Sequence, residues 1–173
     1  MAVEIRLGKP CDLPNVMTLV QACIQRLRSD NILQWDDIYP SWQVFAADIH
    51  LQSLYLAISN AKIVGTIAVD FEQPLEYQNV AWGFTGKILV VHRLCVDPHC
   101  WGQGIAASLM DFAEQRALMH NCSGIRLDAY AENSAALGLY QLRAYRVAGR
   151  VFFPRRLEAF YCFEKNLADD LNP

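Results

Sequence analysis

The 173-residue sequence predicts an α+β fold of three layers, with a central mixed, mostly antiparallel sheet of six to seven strands flanked by about four helices. Three observations predict it. Stretches of two-residue alternation are interleaved with stretches of helical period. The run Lys87–Val96 (KILVVHRLCV) is almost continuously apolar, as a central strand covered on both faces should be. A glycine-bearing turn leads from that run into a helix and then into another strand. Such a crossover makes parallel neighbours inside a sheet otherwise built from hairpins.

The elements follow in order. Val3–Leu7 (VEIRL) alternates apolar and charged residues, a strand period. Gly8-Lys9-Pro10 ends it, and Asp12 is placed to cap a helix. From Leu13 to Leu27, Val16, Leu19, Val20, Cys23, Ile24 and Leu27 recur at helical spacing. Ser29–Trp42 mixes aromatics, carboxylates and a proline, so it reads as a loop, followed by a short helix over Ser41–Gln52. Leu54–Ile58 and Ile63–Phe71 form a hairpin about Asn60-Ala61-Lys62. Gln73–Phe84 is polar and irregular. Asp97-Pro98 stops the central strand, and Ile105–His120 is a helix with Ile105, Leu109, Phe112, Ala113 and Ala117 along one stripe. Gly124 ends that unit, and Ile125–Ala131 is a strand. Asn133-Ser134 opens a helix that runs through Arg143, and strands over Tyr145–Phe153 and Ala159–Lys165 finish the fold. No linker divides the chain, which reads as one domain over residues 1–173.

Composition narrows the function classes. Hydrophobic residues make up 53% of the chain and charged residues 19%, a globular balance. The net charge of −3 without a basic run argues against nucleic-acid binding, which rests on neutralising phosphates. No run of about 18 apolar residues is present to span a membrane. The six cysteines form no C-x-x-C pair, and Ala2–Lys9 is too charged and short for a secretion signal. They read as free thiols in a reducing cytosol, which places the protein in the cytoplasm. No His/Cys/Asp/Glu set has metal-ligand spacing, so no metal is expected.

The segment from Val90 to Tyr145 carries the chemistry. Gly102 and Gly104 flank the start of a helix. Glycine admits positive φ and lets a ligand approach the backbone. The helix start offers unpaired N–H groups and partial positive charge, which together bind phosphate without lysine or arginine. The dinucleotide fingerprint is excluded because Ala107 stands where its third glycine belongs, and a Walker loop because no Gly-Lys-Ser/Thr is present.

In context, R-L-C-V-D-P-H-C-W-G-Q-G-I-A resembles the coenzyme-binding motif of the GNAT N-acetyltransferase superfamily, an apolar strand, a short turn and then Gln/Arg-x-x-Gly-x-Gly/Ala. Trp101, Gly102, Gln103, Gly104, Ile105 and Ala106 fill its six places. Trp101 departs from the usual Gln or Arg, so either the loop is shifted by one residue or the pyrophosphate rests on backbone N–H groups alone. A second block, I-R-L-D-A-Y-A-E-N-S-A-A-L-G-L-Y-Q-L-R-A-Y, resembles the family's strand and N-x-x-A-x-x-x-Y-x-x-x-G-F. Asn133, Ala136 and Tyr140 match it, while Ala144 and Tyr145 replace Gly-Phe. Ile5-Arg6 with Asp12, and Ile32–Trp35, also resemble the family.

The resemblance implies an acyl-CoA N-acyltransferase fold and transfer of acetyl from acetyl-CoA to a primary amine, either a small molecule or a peptide amine. It implies that Leu94, Cys95 and Val96 line the thioester, that Gly102–Ala106 hold the pyrophosphate, and that Asn133 and Ala136 approach the coenzyme. Tyr140 then protonates the leaving thiolate. For the base, His92 shares a strand face with Leu94 and Val96 by parity and is the side-chain type suited to proton transfer; Asp70, Glu72 or a water relay are the alternatives. Trp35, Asp36, Tyr39 and Trp42 are placed to face a cationic amine, with Asp37 and Glu76 adding charge. Asp128 reads as a structural partner of Arg126 or Arg146. The resemblance allows a homodimer. A non-catalytic acyl-CoA sensor is the other function class.

Overall fold

A computed structural model describes residues 3–167. The strands are β1 (Glu4–Leu7), β2 (Leu54–Ser59), β3 (Lys62–Asp70), β4 (Ile88–Val96), β5 (Gly124–Tyr130), β6 (Arg146–Val151) and β7 (Phe160–Asn166). The helices are α1 (Leu13–Ser29), α2 (Trp42–His50), α3 (Ile105–Met119) and α4 (Ser134–Leu142). The strands form one seven-stranded sheet in the order β1-β2-β3-β4-β5-β7-β6. β4 and β5 pair in parallel, while β1–β2, β2–β3, β5–β7 and β6–β7 pair antiparallel. The expected mixed, mostly antiparallel sheet with four helices is therefore the observed one.

The described residues gather into two units, 3–69 with 92–112, and 70–91 with 113–167. In the first unit, the six apolar positions read as one stripe of α1 are all buried. Five of them, Val16, Leu19, Val20, Cys23 and Ile24, join Leu13, Trp35, Phe45, Ile49, Leu54, Leu56, Ala68 and Cys95 in a continuous core. The β2–β3 hairpin turns through Asn60 and Ala61, at φ 49° and 60°. Consecutive positive φ values give the turn the twist that antiparallel neighbours need. Asp12 stands at the start of α1, but its carboxylate does not cap that helix. It accepts from the Lys9 N–H at 2.8 Å and pairs with both terminal nitrogens of Arg6 at 2.7 and 2.8 Å. That is the correction to its reading as a helix cap. The helix of Ser41–Gln52 is trimmed to Trp42–His50, with the Ser41 hydroxyl accepting from the Val44 N–H.

In the second unit, β5 runs antiparallel to β7 through seven register pairs, and β7 to β6 with a shift between Val147 and Gly149. Gly124 begins β5 instead of ending the preceding unit. A side chain there would meet the Lys165 carbonyl and the Phe84 ring, so the strand needs its glycine. Asn133 caps α4 by accepting from the Ala136 N–H at 3.1 Å. Ala144, in the place of the resembled family's glycine, has φ 62°, and the Tyr145 N–H returns to the Tyr140 carbonyl at 3.0 Å. The left-handed residue ends the helix, which is why glycine suits that position.

β4 is irregular where it matters. Its register with β5 runs from Ile88↔Gly124 to Val91↔Leu127. Two residues on, Arg93 has φ 51°. A left-handed residue inside a strand costs about 1–2 kcal/mol and interrupts alternation. The parity that put His92 on one face with Leu94 and Val96 therefore does not carry through β4.

Candidate active site

In the first unit, β4 leads into a tied-down turn. The Asp97 carboxylate accepts from the His99 N–H at 2.9 Å and holds a short 3-10 turn over Pro98–Cys100. Gly102 and Gly104 follow at φ 75° and 81°. A β-carbon built on either would meet no protein atom within 4 Å. Conformation is what demands glycine here, and the space beside the backbone is open. The Gly104 carbonyl accepts from the Ser108 N–H at 3.0 Å, so α3 starts beyond it and leaves its first N–H groups without helical acceptors. Ile105 is buried, Ala106 half-buried, and the Gln103 amide donates to the His99 carbonyl at 3.3 Å.

Trp101 is 40% exposed, and its indole N–H donates to the Val96 carbonyl at 2.8 Å. The Cys23 thiol donates to the same oxygen at 3.2 Å. Both lone pairs of that carbonyl are engaged, so it is not the group that Val96 offers to a ligand. Leu94 is half-buried and Cys95 buried. The Thr66 hydroxyl donates to the Arg93 carbonyl at 3.2 Å and lies 3.3 Å from the Cys95 sulfur.

The residues read as an amine wall divide. Trp35 is 6% exposed and belongs to the core, while Trp42 is 47% exposed. Tyr39 packs partly buried against that core. One carboxylate oxygen of Asp36 accepts from the N–H groups of Ile38 and Tyr39 at 2.9 and 2.7 Å, shaping the loop. Asp37 pairs with Arg28 at 3.1 Å.

A buried fork in this unit escaped the sequence reading. Arg93 donates from Nε and Nη2 to the two oxygens of Asp48 at 2.7 and 2.6 Å. Burial pulls the guanidinium down, and the Asp48 and Tyr39 oxygens more than reverse this, holding it above its ordinary value. An arginine inside an apolar strand was itself a signal, because arginine is almost never buried unpaired.

In the second unit, Tyr140 is buried against the rings of Tyr145 and Phe163. Burial first, and the charge of Asp128 second, lift its phenol well above the ordinary tyrosine value. Asp128 accepts from the Tyr77 hydroxyl at 2.8 Å, a partner the sequence reading did not name. Arg126 donates to the Gln73 side chain at 2.7 Å and the Phe84 carbonyl at 2.6 Å, and lies over the Trp82 ring. These contacts fasten the 73–84 segment to β5 inside that unit. The same charge of Asp128, after burial, contributes to pushing the Cys162 thiol up to about 12. His92, Asp70 and Glu76 are half-buried, and Glu72 is exposed. The Asp70 carboxylate accepts from the Glu72 N–H at 2.9 Å.

Among the described residues, no group of three or more His, Cys, Asp or Glu side chains could hold a metal ion, and no helix is long and apolar enough to cross a membrane.

Comparison with known proteins gives this geometry its family. The model of the acetyltransferase (GNAT) family matches residues 24–145. Acetyltransferase ECA0875 of Pectobacterium atrosepticum is 26% identical over 156 residues, covering 90% of this chain and 96% of its own. A GNAT-family acetyltransferase from Streptococcus agalactiae 2603 superposes with a TM-score of 0.79 at 19% identity, covering 95% of each chain. A chain of the NatC complex bound to Gag peptide and CoA superposes at 0.71 and 20% identity, covering 96% of this chain and 99% of that one. The chain belongs to the acetyltransferase (GNAT) family and is an acyltransferase.

Proposed function

We propose that the protein moves an acetyl group from acetyl-CoA to a primary amine by direct attack in a ternary complex, with a small-molecule amine favoured over a protein. The observation that carries this reading is the open turn at Gly102 and Gly104, both at positive φ with nothing within 4 Å of a β-carbon, at the head of the 15-residue helix α3. Backbone N–H groups at such a helix start suit a pyrophosphate. In this reading they hold it without a side chain from Trp101. That a CoA-bound protein has the same fold agrees with it.

The amine attacks the thioester carbonyl once a base has taken its proton. His92, Asp70 or Glu72, or a water relay serves as that base. Negative charge gathers on the carbonyl oxygen, which a backbone N–H near Leu94 stabilises. The carbon–sulfur bond then breaks as the amide forms, the Tyr140 hydroxyl gives its proton to the departing thiolate, and the proton shed by the new amide nitrogen restores the phenol. A phenol lifted above its ordinary value remains protonated at neutral pH, as that role requires. Exposed Trp42 and half-buried Tyr39 supply aromatic faces that suit a compact cation. Six free cysteines suit a reducing compartment, consistent with a cytoplasmic enzyme.

A thiol-release assay with acetyl-CoA against a panel of small amines and peptide amino termini tests the reading. CoA release with small amines is expected, and Gly104→Ala should weaken acetyl-CoA binding about tenfold, because the added Cβ both strains φ and fills the ligand's space. Acetyl-CoA binding without release across the panel would make the protein an acyl-CoA-binding module. Absence of any acyl-CoA binding would remove the assignment.

A further inference from the structure

We infer that Asp48 and Arg93 are positioning residues for acyl transfer: their buried fork fixes the irregular backbone of β4 that presents Leu94 to the thioester. The inference rests on the acetyl-CoA reading above. Arg93 is the one residue of β4 with positive φ, so the chain's direction changes at that point. The backbone there is then held by side chains. Asp48, from α2, grips the guanidinium at 2.6 and 2.7 Å, with both side chains little exposed, at 7% and 12%. Thr66, from β3, donates to the Arg93 carbonyl. Trp101 and Cys23 donate to the Val96 carbonyl three residues on.

Among these ties the fork is the charged and bidentate one, the geometry that fixes orientation as well as distance. A second arm of the same guanidinium lies 3.5 Å from the Tyr39 hydroxyl. Tyr39 belongs to the segment read as facing the amine. One arginine thus joins the strand expected to hold the acetyl donor to the loop expected to meet the acceptor, all within one unit of the chain.

A buried fork that served stability alone would lower the melting temperature and leave the substrates' kinetic constants unchanged relative to each other. A positioning fork gives a different pattern. Asp48→Asn and Arg93→Lys should raise the acetyl-CoA KM about tenfold and lower kcat, with the amine KM within about twofold of wild type. Binding of adenosine 3′,5′-bisphosphate, a fragment of CoA without the pantetheine arm, should be unchanged by calorimetry. Amide hydrogen exchange in the unliganded protein should quicken at residues 92–96, a readout that needs no activity. Removing one partner of a buried pair can unfold a protein, so Asp48→Ala/Arg93→Gly is the second variant. It leaves no buried charge and gives the positive-φ site a glycine. It should fold and show the same loss of acetyl-CoA affinity. If the folded variants bind acetyl-CoA as wild type does, with unchanged exchange at 92–96, the inference is overturned. If wild-type protein binds no acyl-CoA, the underlying reading fails first, while quickened exchange at 92–96 alone would still show the fork holding β4.

Discussion

The indole N–H of Trp101 is hydrogen-bonded to the carbonyl of Val96, at 2.8 Å, and the Arg26 guanidinium lies 5.0 Å from the centre of its ring. Five residues apart in sequence, the two clamp the end of β4 to the turn that precedes α3. The usual Gln or Arg of the family is replaced by a side chain that points its donor back at the protein. The glycines keep their positive φ values and α3 still begins at Ile105.

Trp101→Phe tests that clamp. It keeps an aromatic ring for Arg26 and removes the N–H. The acetyl-CoA KM should rise about three- to tenfold, the worth of one net hydrogen bond of roughly 1 kcal/mol, with kcat changed less than twofold. Steady-state kinetics at varied acetyl-CoA check this. An unchanged KM would separate the clamp from donor binding.

Tyr140→Phe tests the proton donor. The ring contacts with Tyr145 and Phe163 survive the change, and only the hydroxyl is lost. kcat should fall by about 10²-fold, with acetyl-CoA affinity within about twofold. Equal turnover in the two proteins would take Tyr140 out of the mechanism and leave it a packing residue.

The parts of this fold legible in the sequence are those set by local period and by backbone chemistry. The α1 stripe from Val16 to Leu27 is buried as its spacing predicts. Gly102 and Gly104 carry the positive φ that glycine at a helix start suggests. What the sequence hid are contacts between distant residues. Nothing local pairs Arg93 with Asp48, 45 residues earlier, or Asp128 with Tyr77, 51 residues earlier. The left-handed Arg93 was equally hidden, because an arginine carries no conformational mark as glycine does. Trp35 illustrates a further limit: an aromatic beside carboxylates reads the same whether it faces a ligand or, as observed, the core.

Gly124→Ala tests why β5 opens with glycine. The new methyl would collide with the Phe84 ring, which can turn, and with the backbone carbonyl of Lys165, which can move only with β7. Overpacking of this kind costs about 1–3 kcal/mol. Urea unfolding should show the unfolding free energy lowered by that amount, through a lower midpoint with the slope unchanged. Gly138→Ala, on α4 with nothing within 4 Å of a β-carbon, should be neutral or stabilising.

Stability at high pH tests the burial of three phenols. Tyr77, Tyr140 and Tyr145 are all lifted above the ordinary value of 10, first by burial and then by the charge of Asp128 for the first two and of Glu114 for the third. Above that pH the unfolded chain releases these protons while the folded chain keeps them. The unfolded state then binds fewer protons, so unfolding free energy decreases as pH rises. The phenols' share of that loss is absent below about pH 9 and grows through pH 10–12, with a limiting slope of about 4 kcal/mol per pH unit for three phenols, beside the share of the raised Cys162 thiol, which begins lower. Tyr140→Phe should reduce the measured slope by about 1.4 kcal/mol per pH unit, because phenylalanine has no proton to withhold. Urea unfolding at a series of pH values from 8 to 11 measures both slopes, and a variant curve parallel to wild type above pH 10 would mean that Tyr140 ionises as readily in the folded protein as in the unfolded chain.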